Sequence, residues 1–423
     1  MNGISHIFIN KKILIYGLGK SGISASKFLK KKNKIILFDD NKKNLFNRNQ
    51  IVKTNFDAII LSPGININKC KLSKFLKKNS KIIYTDLDIF YSFFKNRCIT
   101  ITGTNGKSTT CQLLYEVLKK QKIDVRLAGN IGYPILSIKN FNKKTLFIIE
   151  ASSYQLEYSK LFRSKYVAIL NISPDHLERH QTLQKYISAK FRIIENQDKN
   201  SFAFINKNNF LIMSKIKTIQ YKSKIIKVNT KLTDHFINKF KNNSFLSGSN
   251  IENLSFVIKL SEALKVRENN LINAVRKFKG LKYRQQVIFR KKDFVIINDS
   301  KSTSYSSSIK ILKERKNIYW IIGGIPKKGD KFNLSKNYFK NIRGYVFGKN
   351  QKKFLFDLSN KIEIKKFSNL KKAWITLIED IKDDNSKEKT ILFSPAAASF
   401  DSFKNFEDRG KYFNQLIKRY QSV

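Results

Sequence analysis

Short apolar runs recur along the chain, each closed by a cluster of small or polar residues and followed by a stretch with helical spacing. Ile13-Leu14-Ile15-Tyr16 leads into Gly17-Leu18-Gly19-Lys20-Ser21-Gly22 and a predicted helix from about residue 23 to 31. Strands are expected at 34–38, ending in Asp39-Asp40, and at 57–61, ending in Ser62-Pro63-Gly64. The pattern restarts at Arg97 and adds strands at 146–150 and 166–170. Residues 199–245 are lysine-rich and weakly patterned, and are read as short strands decorating the same domain. Helices over 250–264 and 268–278 reach Gly280, after which strands resume at 294–298, 318–322, 344–347 and 390–393, and a helix closes the chain near 412–420. Apolar runs alternating with helices predict an α/β protein built on parallel sheets. The boundaries are placed at 1–94, 95–281 and 282–423.

The most informative stretch is Thr100-Ile101-Thr102-Gly103-Thr104-Asn105-Gly106-Lys107-Ser108-Thr109-Thr110. A β-rich run feeds a glycine loop that opens a helix, the order that builds a phosphate cradle from backbone N–H groups, a lysine for the outer phosphates and a hydroxyl for Mg²⁺. Its Gly-x-x-Gly-Lys-Ser spacing is shorter than the usual one, so the alternative of a glycine turn with a solvated lysine stays open. Glu150, directly after Leu146-Phe147-Ile148-Ile149, sits where a metal-bridging carboxylate belongs, although a helix-capping carboxylate fits the same place. Gly17–Gly22, with Asp39 closing the next strand, matches a dinucleotide fingerprint. Taken alone it reads as an NAD-dependent dehydrogenase, but no hydride-transfer constellation follows. His176 and His180 are four apart without a third ligand at sensible spacing, which disfavours zinc. Three loops at predicted strand ends, 298–303, 323–330 and 394–401, would meet on one rim of a sheet.

Composition narrows the classes. Hydrophobic residues make up 41% and aromatics 13%, values of a globular chain rather than a disordered one. The formal charge of +52 invites a nucleic-acid reading, but the lysines are spread in short pairs among Ile, Asn and Phe. A/T-rich codons account for that mixture, so no nucleic-acid partner is expected. Three cysteines without paired or ligand spacing fit a reducing cytoplasm. No run approaches the ~20 apolar residues of a membrane helix, and the first twenty or so lack the layout of a signal peptide.

Taken together these blocks resemble the Mur ligase family of ATP-dependent amide-forming enzymes. The resemblance rests on Gly103–Ser108, Gly129-Asn130-Ile131-Gly132, Glu150-Ala151-Ser152-Ser153-Tyr154-Gln155-Leu156-Glu157, Asn171–His176, Tyr283-Arg284, Asn298–Thr303 and Ser394–Gly410. The Glu150–Glu157 block, the opening glycine loop and Phe403-Lys404-Asn405-Phe406-Glu407-Asp408-Arg409-Gly410 are most similar to the D-glutamate-adding branch. The resemblance implies three domains: Rossmann-like, a central P-loop ATPase-like domain, and a second Rossmann-like one. It implies a cytoplasmic, monomeric enzyme of peptidoglycan synthesis, serving cell shape and division. Its substrates would be UDP-N-acetylmuramoyl-L-alanine, D-glutamate and ATP, with two Mg²⁺.

By position, the resemblance puts Lys20, Ser21, Asp39, Gly64, Asn130 and Ser152 at the UDP-substrate. Gly103, Thr104, Asn105, Gly106, Lys107, Ser108, Thr109, Asn250, Arg284 and Asp299 fall at ATP. Ser108, Glu150, His176 and a carbamylated Lys190 would hold metal, and Lys107, Glu150, His176 and Lys190 form the catalytic set. Lys301, Thr303, Lys327, Ser399 and Phe406 would take D-glutamate, with Lys328 an alternative to Lys327. The chain departs from the family pattern at Ser249 and Tyr283, where histidines are usual, and at Ser304, where asparagine is. A sibling Mur ligase or a folylpolyglutamate-type ligase adding another amino acid is the competing reading.

Overall fold

A computed structural model describes residues 5–42, 46–240, 249–327 and 329–420. It carries three α/β sheets in series. The first holds β1 (Lys12–Tyr16), β2 (Lys34–Phe38), β3 (Ala58–Leu61) and β4 (Ile83–Tyr84), all parallel, in the order β2-β1-β3-β4. The second holds β5 (Cys98–Thr102), β6 (Val125–Gly129), β7 (Leu146–Glu150), β8 (Tyr166–Ile169), β9 (Phe202–Asn206) and β10 (Lys224–Val228), again parallel, in the order β10-β9-β8-β5-β7-β6. The third holds β11 (Gln286–Lys291), β12 (Phe294–Asn298), β13 (Ile318–Gly323), β14 (Ile342–Phe347), β15 (Glu363–Phe367) and β16 (Lys389–Phe393), ordered β11-β12-β16-β13-β14-β15, with only β11 antiparallel to its neighbour.

Strands such as β1 and β7 are covered on both faces, which explains why they read as nearly unbroken apolar runs. Ile13, Leu14, Ile15 and Tyr16 are all fully buried, as are Phe147, Ile148 and Ile149. The polar stretch after residue 199 supplies β9 and β10, which extend the second sheet as its outer strands. Part of that expectation, residues 241–245, lies outside the described residues. The closing helix begins earlier than its apolar spacing predicts, at Phe406, and carries Glu407 and Asp408 in its first turn and Lys418 and Arg419 in its last. Those charges complement the helix dipole.

The chain divides into two compact units, Met1–His235 with Glu252–Val275, and Phe236–Ile251 with Arg276–Val423. The first unit contains two sheets because they share one core and one buried carboxylate. Phe90, on the helix Asp86–Phe93, meets Phe147 of β7 with ring centroids 4.9 Å apart, and Phe94 meets Phe141 at 5.0 Å. Asp88, fully buried, accepts at Oδ2 from the Thr85 N–H (2.9 Å) and hydroxyl (3.0 Å). Its Oδ1 accepts from Ser159 Oγ (3.0 Å) and the N–H groups of Lys160 (2.9 Å), Leu161 (2.7 Å) and Phe162 (3.0 Å). A carboxylate so satisfied replaces its lost hydration with fixed dipoles, which makes the join specific as well as tight.

Candidate active site

The loop between β5 and the helix Lys107–Lys120 is shaped by backbone conformations that glycine permits. Gly106 is left-handed at φ 83°, and a β-carbon there would lie 2.1 Å from Asn253 Oδ1. The loop is pinned from the carboxyl end of β8. Thr104 N–H donates to the Asn171 carbonyl and Asn105 N–H to Asn171 Oδ1, both at 2.8 Å. Thr104 Oγ1 donates to the Ser173 carbonyl at 3.2 Å and lies 3.0 Å from the Tyr186 hydroxyl. Lys107 folds across the loop, its Nζ donating to the carbonyls of Gly103 and Thr104 at 2.8 Å each. Lys190, 1% exposed on the helix Leu183–Glu195, donates to the same Gly103 carbonyl at 2.8 Å. Burial, then the neighbouring Lys107 charge, pushes the Lys190 pKa well below the ordinary lysine value.

Ser108 and Glu150 meet at the head of that helix. Glu150 is 1% exposed at the end of β7. Its Oε2 accepts from Ser108 Oγ and its Oε1 from Asn130 Nδ2, each at 2.7 Å. A hydroxyl and a carboxylate side by side beside a helix N-terminus are oxygen donors of the kind Mg²⁺ takes together with phosphate oxygens and water, so these residues fit the nucleotide-bound cation. Thr109 is buried behind them. Ser152 is used locally: its hydroxyl accepts from the Gln155 N–H and caps the helix Ser153–Leu156.

His176 lies in a left-handed conformation (φ 54°) at the head of the helix Leu177–His180. Its Nδ1 is 2.8 Å from the Tyr154 hydroxyl and its Nε2 3.4 Å from Asp175 Oδ2, so the ring's orientation is fixed from both sides. His180 has gone to the core instead: it is 2% exposed, with Nε2 3.0 Å from Ser153 Oγ. Burial first, then the Arg179 charge, lowers its pKa to about 4, so it is neutral near pH 7. Among the described residues no three His, Cys, Asp or Glu side chains form a metal-holding group.

In the first sheet, the turn after β1 requires close backbone approach. A β-carbon on Gly22 would lie 1.9 Å from the Gly17 carbonyl oxygen. Ser62 Oγ donates to that same oxygen at 2.6 Å, tying the loops after β1 and β3 together. Asp39 braces the turn from beneath, accepting from the Leu18 N–H at 2.6 Å and the Asn41 N–H at 2.9 Å. Partial burial works against its charge, but those two N–H groups and Lys42 outweigh it and hold the carboxyl below the usual range. Ser21 turns its hydroxyl to the buried Asp86, whose carboxyl burial pushes up to about 6. Lys20 and Gly64 are exposed on the rim.

The second unit gathers its own cluster at the carboxyl ends of β12, β13 and β16. Asp299 accepts from the Gln285 N–H and from Ser394 Oγ, both at 3.1 Å. Arg284 lies between two left-handed residues, Tyr283 (φ 61°) and Gln285 (φ 48°), with its guanidinium 5.7 Å from the Phe406 ring centroid. Lys301 Nζ stands 4.2 Å over that same ring, within cation–π reach. Ile325 and Ala398 pair as an antiparallel bridge, so the loops bearing Lys327 and Ser399 are joined. Thr303 follows Ser302, whose hydroxyl lies 3.1 Å from that of Ser308. Arg409, fully buried, holds the cluster from behind by donating to the carbonyls of Ser300 (2.8 Å), Ala397 (2.9 Å) and Gly323 (3.2 Å). Asn250 is buried in the helix Ser249–Ala263. Lys328 lies outside the described residues.

Burial pushes the Asp299 carboxyl up to about 7, against the Gln285 and Ser394 bonds and the charges of Arg284 and Arg409. A carboxyl with a raised folded pKa favours the folded state fully below its unfolded value near 4. That contribution is lost as pH rises toward 7 and is constant beyond. Unfolding titrations should therefore show the wild type losing up to roughly 4 kcal/mol relative to Asp299→Asn between about pH 4 and pH 7. A difference independent of pH would rule the buried acid out.

Arg179, Tyr154 and Arg409 had no distinguishing signal as single residues in a chain holding 83 Lys and Arg. Tyr154 and Arg409 were marked only by their position inside the Glu150–Glu157 and Phe403–Gly410 blocks, and Arg179 lies beyond the Asn171–His176 block. Three comparisons place this geometry among known proteins. The Mur ligase middle domain model matches residues 101–274. A UDP-N-acetylmuramoylalanine–D-glutamate ligase of Rickettsia felis is 36% identical, with 97% of each chain covered. Two solved structures from Thermotoga maritima share the fold. One is a UDP-N-acetylmuramate–alanine ligase at TM-score 0.55 and 16% identity, over 98% of this chain and 100% of that one. The other is a MurF ligase in complex with ADP at TM-score 0.57 and 15% identity, over 99% and 100%.

Proposed function

The chain belongs to the Mur ligase family, and from that we propose that it joins D-glutamate to UDP-N-acetylmuramoyl-L-alanine at the expense of ATP, in peptidoglycan precursor synthesis. The observation that carries the reading is the contact of Ser108 with buried Glu150 at the head of the Lys107–Lys120 helix, in a chain of which 97% aligns with a relative named as a D-glutamate ligase. The L-alanyl carboxylate attacks the γ-phosphorus of ATP, giving an acyl phosphate and ADP. The amine of D-glutamate then attacks the acyl carbon, loses a proton, and phosphate departs from the tetrahedral intermediate. Bringing a carboxylate to a polyphosphate demands positive charge, the role proposed for Lys107 and for Arg284. Ser108, Glu150 and His176 would hold Mg²⁺, which would supply charge neutralisation for the transferring phosphoryl group.

Lys190 enters as a carbamate in this reading. Burial and the neighbouring Lys107 charge disfavour the ammonium form of Lys190, and the deprotonated amine can add to CO₂ with loss of a further proton and so present an anion in place of a buried cation. Lys20, Ser21, Asp39, Gly64, Asn130 and Ser152 serve the UDP-substrate. Asn250 and Asp299 serve ATP. Lys301, Thr303, Lys327, Ser399 and Phe406 hold the carboxylates and the apolar edge of D-glutamate. The test is phosphate release from ATP in the presence of UDP-muramoyl-L-alanine, with D-glutamate, L-alanine, diamino acids or D-alanyl-D-alanine as the acceptor. Release that depends on D-glutamate alone is expected. Equal stimulation by another acceptor would assign the chain to a sibling reaction.

A further inference from the structure

A single buried arginine connects the loop after β3 to the strand ends of the second sheet. Arg179 is 6% exposed, and its Nη1 donates to the Pro63 carbonyl at 3.0 Å, in the middle of Ser62-Pro63-Gly64. Its Nε and Nη2 reach Glu157 Oε2 at 3.2 and 3.1 Å. The guanidinium lies 4.5 Å over the Tyr154 ring, and the Tyr154 hydroxyl is the one 2.8 Å from His176 Nδ1. From Pro63 the connection runs on through Ser62 Oγ to the Gly17 carbonyl at the start of the first glycine loop. One planar, permanently charged group thus fixes two loops that belong to different sheets.

We propose that Arg179 is a positioning residue that sets the span between the loops taking the uridine diphosphate and the residues around His176 assigned above to the metal. This rests on the function proposed above. A long substrate held at both ends gains affinity over its nucleotide alone only if the two anchor points stand at the right separation, because the second contact is then intramolecular. Neither Arg179 nor Glu157 needs to touch the substrate for this. A lysine in place of Arg179 could reach one partner but not both in the same geometry.

Calorimetric titration of UDP and of UDP-muramoyl-L-alanine into the full chain tests the inference. In the wild type the whole substrate should bind more tightly than UDP. In Arg179→Gln the UDP affinity should stay within about twofold, while that of the whole substrate falls about tenfold toward that of UDP. Glu157→Gln removes the other side of the bridge and should give the same pattern. It also carries the test if Arg179→Gln does not fold. Arg179→Lys should recover little of the lost increment. Equal weakening of both ligands would make Arg179 a support of the nucleotide loop alone, and no change in either would remove it from substrate binding; each overturns the proposal. If the wild type itself binds neither ligand, the substrate assignment fails and the inference with it. A wild type that binds and turns over the substrate beside an unaffected variant sinks the inference only.

Discussion

Lys107→Ala is expected to lower ATP-dependent phosphate release by roughly a thousandfold or more, the scale seen when a donor aimed at developing charge is removed. In the structure its Nζ is held over the loop by the Gly103 and Thr104 carbonyls. A nucleotide's outer phosphates would draw it away from two neutral acceptors to charged ones. The gain is made mostly in the transition state, where phosphoryl charge is greatest, so kcat should fall more than KM for ATP rises. Thermal unfolding measured alongside should move by only a few degrees, since the lost bonds lie within one loop. A variant keeping more than about a tenth of the wild-type rate would show that this loop does not cradle the transferred phosphate.

The second large effect is expected at Lys190. Lys190→Ala should lose roughly a hundredfold or more in turnover, with part of it restored by a small carboxylate such as acetate or formate and none by bicarbonate. The physical reason is the site's charge. Unmodified, Lys190 and Lys107 bring two ammonium groups to one carbonyl, a pairing that burial disfavours. As a carbamate the same side chain carries the opposite sign. Alanine leaves space that a free carboxylate can enter, whereas bicarbonate cannot act without an amine to receive it. Recovery with bicarbonate alone, or full activity without any addition, would remove the carbamate from the mechanism.

Much of this site was legible in the sequence because its residues stand where the chain has to change conformation. Gly106, Glu150 and Asp299 stand at or just past the ends of buried, β-rich strands, so their place at a sheet's carboxyl edge comes with the strand. The family blocks added the pairing of Ser108 with Glu150, which no spacing rule provides. Outer strands were harder to read. β10 and β15 carry lysines on half-exposed faces, and β11 pairs antiparallel through a register shift at Val287/Phe289, so none shows the period of a buried strand. The closing helix was read late because Glu407 and Asp408 look like loop residues until the dipole they complement is known. Contacts distant in sequence were out of reach: Asp88 with 159–162 and Arg179 with Pro63 leave no local trace.

The shared carboxylate at Asp88 has a practical corollary for dissecting the chain. Four of its six donors come from residues 159–162. A fragment cut at residue 94 would therefore strand an anion in an apolar setting and turn Phe90 out to water. Such a piece should be insoluble or unfolded when expressed alone, whereas one carried through residue 235 and rejoined to 252–275 would keep every donor and the whole aromatic seam.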